Sequence, residues 1–221
     1  MNIREELFKL QDEKYREFNG KLVPNVKLIG IRIPNLRKLA KKIVKEEPEK
    51  AEIFLNDLPH EYLEENLLHS FILEQEKNLN RLMKKTEEFL PYIDNWQVCD
   101  SFVPNIFKKN DDIMAETIEK WLSDSKDFTI RYGIRLLIAR KDYHNNNIVN
   151  VIKAGDNPAY YVYMAAAWYL SMAAKANPEG VLFCFNQLKP GNQLVSSTVR
   201  KIRESKQFTA EEKEFFSKEL K

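Results

Sequence analysis

The chain has 221 residues, of which 43% are hydrophobic and 31% charged, enough for a sizeable core beneath a well-solvated surface. Its 35 basic and 33 acidic residues nearly balance, which argues against a basic tail but leaves room for a one-sided distribution of charge. No HExxH or CxxC spacing occurs, so we predict no metal, and we expect Cys99 and Cys184 to be buried, reduced thiols. No apolar run approaches the roughly 20 residues that span a bilayer, and the charged, amphipathic start lacks a signal-peptide core. We therefore expect a cytoplasmic protein without a membrane partner.

The first third of the chain alternates between helical and irregular patterns. Apolar residues at near-helical spacing predict an amphipathic helix over residues 3–18. Two glycines and two prolines within residues 19–34 predict an extended linker that carries a short apolar element from Val26 to Ile33. A helix with a basic face then begins at Asn35, and a solvated surface is the ordinary role of such a face.

Helical segments with short joints follow to the end of the chain. Prolines mark several boundaries, and Pro104 lies inside one segment that it should kink or shorten. No stretch shows sustained period-2 alternation, so the sequence predicts an all-α protein without a sheet. The predicted segments are 49–56, 59–75, 78–90, 95–108, 111–123, 126–141, 145–154, 158–176, 178–188, 193–204 and 209–219.

The helical segments look paired, with a long segment following a shorter one roughly every 35–40 residues. This period is typical of HEAT-like or armadillo-like repeats, whose units bury their apolar faces only by stacking. We therefore predict one HEAT-like repeat domain over residues 1–221, a solenoid with a concave groove. A compact helical bundle is the alternative, although a bundle more often has fewer and longer helices.

The stretch from Asp94 to Asp100 contains the first candidate for a functional pair. Trp96 and Asp100 are four residues apart, so a helix would place them on one face, and Asp94 is a plausible N-cap for that helix. The pair could face the core, which would indicate a scaffold, or a cleft, which would indicate an enzyme.

The repeat period extends this pair into a row, because equivalent positions of successive repeats line up along one side of a solenoid. Steps of about 35 residues from Trp96 lead to further aromatic and basic residues, which would share the concave surface. Each has a structural alternative: tryptophans fill cores, arginines pair with acidic neighbours, and Asp100 could interact with a helix dipole. The residues of the row are Trp96, Asp100, Arg131, Arg135, Trp168, Arg200 and Arg203.

A row of this composition suits one kind of chemistry. Basic residues along a groove bind phosphates, and aromatic faces attract cations. A carboxylate between aromatic rings would stabilise positive charge that develops on a sugar, or orient water against that sugar. Purines alkylated at N3 or N7 within DNA meet all three conditions, since they are cationic and already good leaving groups. The protein would need to stabilise an oxocarbenium-like deoxyribose and supply water.

The chain resembles the AlkD-type DNA alkylation repair proteins, which are bacterial HEAT-like repeat DNA glycosylases. The resemblance spans most of the chain and depends on the order and spacing of several short motifs. These are Leu28-Ile29-Gly30-Ile31-Arg32-Ile33-Pro34 leading into Leu36-Arg37-Lys38-Leu39, Trp96-Gln97-Val98-Cys99-Asp100, Ile130-Arg131, and Ala167-Trp168-Tyr169-Leu170 followed by Ala174-Lys175-Ala176-Asn177-Pro178.

The resemblance implies that Trp96 and Asp100 are the catalytic pair, that Arg131 holds the DNA backbone, and that Trp168 is the second cleft tryptophan. It further implies excision of 3-methyladenine and 7-methylguanine from double-stranded DNA, without a cofactor and without flipping the lesion. We expect a monomer. The chain differs from the enzyme-type members at Asn95, where they carry a large aromatic residue, and at Ser171, where they commonly carry arginine. Its segment 19–34 stands in place of a helix of theirs, as in a short-linker branch.

Two other functions are compatible with the same residues. A non-catalytic HEAT-like module could bind damaged or branched DNA through the same groove. A protein-binding scaffold could instead keep both tryptophans in its core.

Overall fold

The computed structural model describes residues 2–109 and 111–220, and every regular element in these ranges is a helix. The prediction of an all-α fold is therefore confirmed. None of the helices within these ranges is long and apolar enough to cross a membrane. Internal contacts divide the chain into two compact units, Met1–Lys109 (unit 1) and Asn110–Lys221 (unit 2), and we describe each by itself. The prediction of a single domain stays a prediction.

Unit 1 is built around one central helix, α5. All eleven residues of α5 are buried, and the helix packs against α1, α3, α4, α6 and α7. Short 3₁₀ turns cover Leu90–Tyr92 and Asn105–Lys108. The helices of unit 1 are α1 (Ile3–Phe8), α2 (Glu13–Gly20), α3 (Ile33–Glu46), α4 (Pro48–Asn56), α5 (Leu63–Leu73), α6 (Leu79–Phe89) and α7 (Trp96–Ser101).

Two predicted boundaries in unit 1 were wrong and a predicted shortening was confirmed, each for a local reason. The helix predicted over residues 3–18 is interrupted, because the Asp12 carboxylate accepts the N–H of Tyr15 and starts a second helix. Helix α3 begins before Asn35, with Pro34 in its first turn, where the missing N–H costs nothing. The helix predicted over 95–108 is shortened, as anticipated from Pro104, and α7 ends at Ser101.

Unit 2 consists of helix pairs in two layers. Helix α11 packs between α9 and α13 in one layer, and α10 contacts α8 and α12 in the other. Stacked pairs of this kind are the packing expected of HEAT-like repeats. The helices are α8 (Asp111–Leu122), α9 (Asp127–Arg140), α10 (Asn145–Gly155), α11 (Tyr160–Ala176), α12 (Pro178–Phe185), α13 (Gln193–Glu204) and α14 (Ala210–Glu219).

Large aromatic side chains fill the core of unit 2. Trp121 is 2% exposed and packs against the fully buried Tyr132, with 5.3 Å between ring centroids. Tyr169 is also fully buried, and its hydroxyl donates a hydrogen bond to the carbonyl oxygen of Asp142. One of the three tryptophans is thus a core residue. The other two, Trp96 and Trp168, keep part of their surface in solvent.

Candidate functional site

Helix α7 of unit 1 begins at Trp96 because the residue before it is an effective cap. The Asn95 side chain is buried, and its Oδ1 accepts the N–H of Val98 at 3.0 Å. The Asn95 amide also donates to the Asp94 carboxylate at 2.8 Å. The prediction that Asp94 is the N-cap was therefore wrong, and Asn95, where the related enzymes have an aromatic residue, has this role.

Trp96 and Asp100 share the partly exposed side of α7, while Gln97, Val98 and Cys99 between them are buried. The indole Nε1 of Trp96 donates a hydrogen bond to the carbonyl oxygen of Leu22 at 3.2 Å, which fixes one edge of the ring. Asp100 lies in the last turn of this six-residue helix. Its alternative interpretation as a partner of the N-terminal helix dipole was wrong, since that end of α7 attracts cations.

An arginine from the basic face of α3 supports the end of α7. The Arg37 guanidinium lies 3.9 Å from the centroid of the Phe71 ring, pairs with Glu74, and donates to the carbonyl oxygen of Ser101 at 3.3 Å. The second oxygen of Glu74 accepts the N–H of Val103 at 2.9 Å. This pair therefore holds the chain on the C-terminal side of Asp100. A run of basic residues in the sequence does not reveal which of them contacts a neighbouring element.

The segment predicted as an extended linker is bound tightly to the start of α5. The Glu64 side chain is fully buried and accepts three backbone N–H groups, from Ile29 at 2.8 Å, Gly30 at 2.7 Å and Ile31 at 3.2 Å. Gly30 has φ +92°, and a Cβ there would lie 2.5 Å from Cβ of Arg16. The backbone of residues 29–31 is therefore fixed against α5. In the sequence, Gly30 was the one residue that indicated a special backbone conformation at this point.

Trp168 on α11 of unit 2 lies beneath an arginine of the neighbouring helix α9. The Arg135 guanidinium carbon is 5.6 Å from the centroid of the Trp168 ring, a cation–π distance, and both side chains are partly exposed. Ser171, at the position where related enzymes commonly carry arginine, is buried and donates to the carbonyl oxygen of Trp168 at 2.7 Å. Two residues of the predicted row are thus neighbours.

Arg131, one helical turn before Arg135, has a different environment. Its side chain is 8% exposed, and its Nη1 donates to the carbonyl oxygen of Tyr161 at 2.7 Å, near the start of α11. The guanidinium carbon also lies 6.0 Å from the centroid of the Tyr161 ring. Arg131 therefore connects α9 to α11. Its role in phosphate binding stays a prediction.

The two arginines of α13 point to different neighbours. Arg200 is exposed, and its Nη2 lies 3.7 Å from Sδ of Met164, which is one helical turn before Trp168 on α11. Arg203 is also exposed, but its Nε donates to the hydroxyl of Ser217 on α14 at 2.9 Å. Within unit 2 the structure brings Arg135, Trp168 and Arg200 to α11. It also adds Met164, which nothing in the sequence distinguishes from a core methionine.

These features define an all-helical protein with paired helices, a partly exposed tryptophan and carboxylate on one helix, and an arginine–tryptophan contact on another. The sequence profile of the family described as "DNA alkylation repair enzyme" matches residues 3–183. The chain belongs to that family, which confirms the resemblance seen in the sequence and supports a role in DNA alkylation repair.

The comparison with solved structures supports the fold. The crystal structure of smu.31 from Streptococcus mutans UA159 is similar, with a TM-score of 0.59, 13% sequence identity, and coverage of 90% of this chain and 98% of that one. None of the curated proteins compared matches the chain. At this identity the structural likeness concerns the fold alone.

Proposed function

We propose that this protein is a DNA N-glycosylase that excises cationic alkylated purines, of the 3-methyladenine and 7-methylguanine type, from double-stranded DNA. The observation that carries the proposal is the pairing of Trp96 and Asp100 on the partly exposed side of α7, in a chain of the alkylation repair family. The reaction needs no cofactor, because alkylation at N3 or N7 already makes the base a cationic leaving group.

The chemistry follows from the charges involved. When the bond between C1′ and the purine nitrogen breaks, its electron pair leaves with the base and neutralises it, and the deoxyribose becomes oxocarbenium-like. The Asp100 carboxylate stabilises this positive charge and positions a water, whose oxygen bonds to C1′ and whose proton passes to solvent. The ring face of Trp96 adds a cation–π attraction for the sugar cation. The lesion is not flipped, so no deep base pocket is required.

Contacts to phosphates would come from basic residues of unit 2. Arg135 is partly exposed and Arg200 is exposed, and both lie beside α11. Lysine and arginine contacts to phosphate release counterions, so binding should weaken as salt increases. Trp168, fixed beneath Arg135, offers its remaining ring surface to the DNA backbone.

The decisive experiment measures release of 7-methylguanine from alkylated duplex DNA. We expect Asp100→Ala and Asp100→Asn to lower the release rate by about a hundredfold or more, the range for loss of an electrostatic stabiliser of a transition state. Glu49→Gln is the matched control, because Glu49 is an exposed carboxylate of the same unit, on α4 and away from α7. Thermal unfolding should confirm that all variants are folded. A rate in Asp100→Ala equal to that of the wild type would refute the proposal.

A non-catalytic module that binds damaged or branched DNA is the second candidate. The contact of Arg135 with Trp168 and the position of Arg200 favour it, because these residues offer DNA contacts that do not involve Asp100. In that case the wild type releases no base, and its DNA affinity survives Asp100→Ala. Loss of affinity in Arg135→Ala would accompany this result.

A further inference from the structure

The chain between α2 and α3, residues 21–32, which we call the connector, carries an exposed leucine whose backbone contacts Trp96. Leu22 is 45% exposed, whereas Val23 next to it is 3% exposed and belongs to the core. The carbonyl oxygen of Leu22 accepts the Trp96 indole N–H. An exposed leucine is ordinary by itself. The backbone carbonyl of this leucine, however, holds the edge of the candidate catalytic ring.

The backbone at Leu22 is held by local hydrogen bonds, since the N–H groups of Leu22 and Val23 both donate to the carbonyl oxygen of Asn19, at 2.9 and 3.1 Å. Val23 is buried, and further along the connector the Glu64 carboxylate binds three consecutive N–H groups around Gly30. Asn25 adopts a left-handed conformation with φ 68°, which turns the chain sharply after Leu22. A side chain presented on such a fixed turn loses little conformational freedom when it inserts into a partner.

Exposed basic side chains lie on and beside the connector, several of them paired with surface carboxylates. A surface depression of about 490 Å³ beside it is lined by Arg16, Lys21 and Lys27, together with Glu17. Lys27 is paired with Glu61 at 2.7 Å and Arg16 with Glu13 at 3.2 Å, both at the surface. Such exposed ion pairs contribute little to stability. A phosphate oxygen can therefore replace the carboxylate as the partner of these cations. An apolar tip beside exposed cations fits a polyanion that stacks apolar bases, and does not fit an apolar protein groove.

We propose that Leu22 is an apolar wedge that inserts at the base step next to the lesion, while Lys21 and Lys27 hold the adjacent phosphates. The proposal rests on the proposed function, since it takes Trp96 to contact the DNA at the lesion. Proteins that unstack DNA commonly insert leucine or a similar side chain between base steps. The wedge would expose the glycosidic bond to Asp100 without extruding the base.

The backbone contact makes a clean test possible. Because Trp96 binds the carbonyl of Leu22, substitution of the Leu22 side chain leaves that hydrogen bond in place. Leu22→Ala removes the wedge, and Leu22→Met keeps an apolar side chain of similar reach. Ile53→Ala on α4 is the matched control, because Ile53 is a 68% exposed aliphatic residue of the same unit.

The measurement uses a duplex with a tetrahydrofuran abasic analogue and a neighbouring 2-aminopurine, whose fluorescence increases when it unstacks. We expect the wild type, Leu22→Met and Ile53→Ala to raise the fluorescence several-fold, and Leu22→Ala to give less than a third of that rise at saturating protein. Release of 7-methylguanine by Leu22→Ala should fall at least tenfold.

The outcomes separate this inference from the proposed function. If the wild type releases 7-methylguanine but Leu22→Ala matches it in fluorescence and rate, the wedge is refuted and the glycosylase stands. If no base is released but the fluorescence rise still depends on Leu22, the wedge stands on a non-catalytic DNA-binding protein. Absence of any fluorescence rise with the wild type refutes the wedge.

Discussion

The indole N–H of Trp96 donates a hydrogen bond to the carbonyl oxygen of Leu22, a residue 74 positions earlier in the chain. This contact makes the connector between α2 and α3 part of the Trp96 environment. The ring cannot rotate freely without losing the bond, so the face it presents is set by the course of the connector.

Trp96→Phe keeps an aromatic ring on α7 but removes the N–H that contacts Leu22. Because the site is partly exposed and water can replace the bond, we expect a loss of about 0.5–1.5 kcal/mol in the free energy of unfolding. Release of 7-methylguanine should fall further than this loss explains, since the ring is no longer fixed. Urea unfolding and a base-release assay measure the two effects.

Tyr92→Phe, which removes only a hydroxyl from a 42% exposed ring, is the control for Trp96→Phe. A fully active Trp96→Phe would show that the bond has no role in orientation.

Glu64→Gln should be strongly destabilising for a single-atom change. The new amide places an NH₂ group against backbone N–H donors of the connector, and at least one buried donor is left without an acceptor. We expect a cost of about 2–3 kcal/mol in denaturant unfolding. Glu49→Gln, on an exposed position of α4, should stay within about 0.5 kcal/mol of the wild type. Equal stability of both variants would contradict this account of the connector.

The stability of unit 1 should depend on pH through a histidine pair. Nε2 of His60 and Nδ1 of His69 lie 2.9 Å apart, and burial lowers the pKa of both imidazoles, that of His69 well below its usual range. A histidine with a lowered pKa stays neutral in the folded state, while the unfolded chain takes up protons below about pH 6.5. Stability is therefore fully present above that pH and is lost as the pH falls.

His69→Phe tests this dependence, because the variant cannot titrate at that position. Between about pH 5 and 6.5 we expect the slope of unfolding free energy against pH to decrease by up to about 1.4 kcal/mol per unit. His144→Gln is the control, since it removes a histidine whose side chain is 89% exposed and so separates loss of the buried imidazole from loss of a surface one. An unchanged slope in His69→Phe would assign the pH dependence to other groups.

Substitutions of Arg131 and Arg135 should separate an effect on stability from an effect on DNA binding. Arg131→Met removes a charged, buried hydrogen bond to the carbonyl oxygen of Tyr161. We therefore expect a loss of about 1.5–3 kcal/mol in unfolding free energy. Arg135→Ala removes a partly exposed cation above Trp168, and its stability cost should stay near 0.5–1 kcal/mol, roughly the value of an exposed cation–π pair.

The binding measurement for the two arginines is a salt titration with duplex DNA. Arg135→Ala should weaken binding across sequences and reduce the slope of log K against log salt by about 1, the signature of one lost phosphate contact. The same slope in Arg135→Ala and the wild type would remove Arg135 from the DNA-binding surface. A reduced slope in Arg131→Met would instead show that Arg131 leaves Tyr161 to bind phosphate.

The sequence by itself determined the helices and the relative order of the candidate residues. Helical periodicity and the prolines located nearly all segments, because helix formation depends on local spacing and on backbone donors that proline lacks. The repeat period predicted that Trp96, Arg131, Trp168 and Arg200 recur on successive repeats, and they lie on α7, α9, α11 and α13. Arg200 contacts Met164, one turn before Trp168, and a shared functional surface for these residues stays a prediction.

Only the tertiary structure decided how individual side chains are used. Asn95 rather than Asp94 caps α7, Arg131 is buried against Tyr161, and Glu64 binds the connector. These outcomes depend on which donors and acceptors meet across long separations in the chain, and a buried polar group must find its partner wherever the packing supplies one. Periodicity contains no information about such partners. The bond between Trp96 and Leu22 belongs to the same class, because a backbone carbonyl carries no sequence signature.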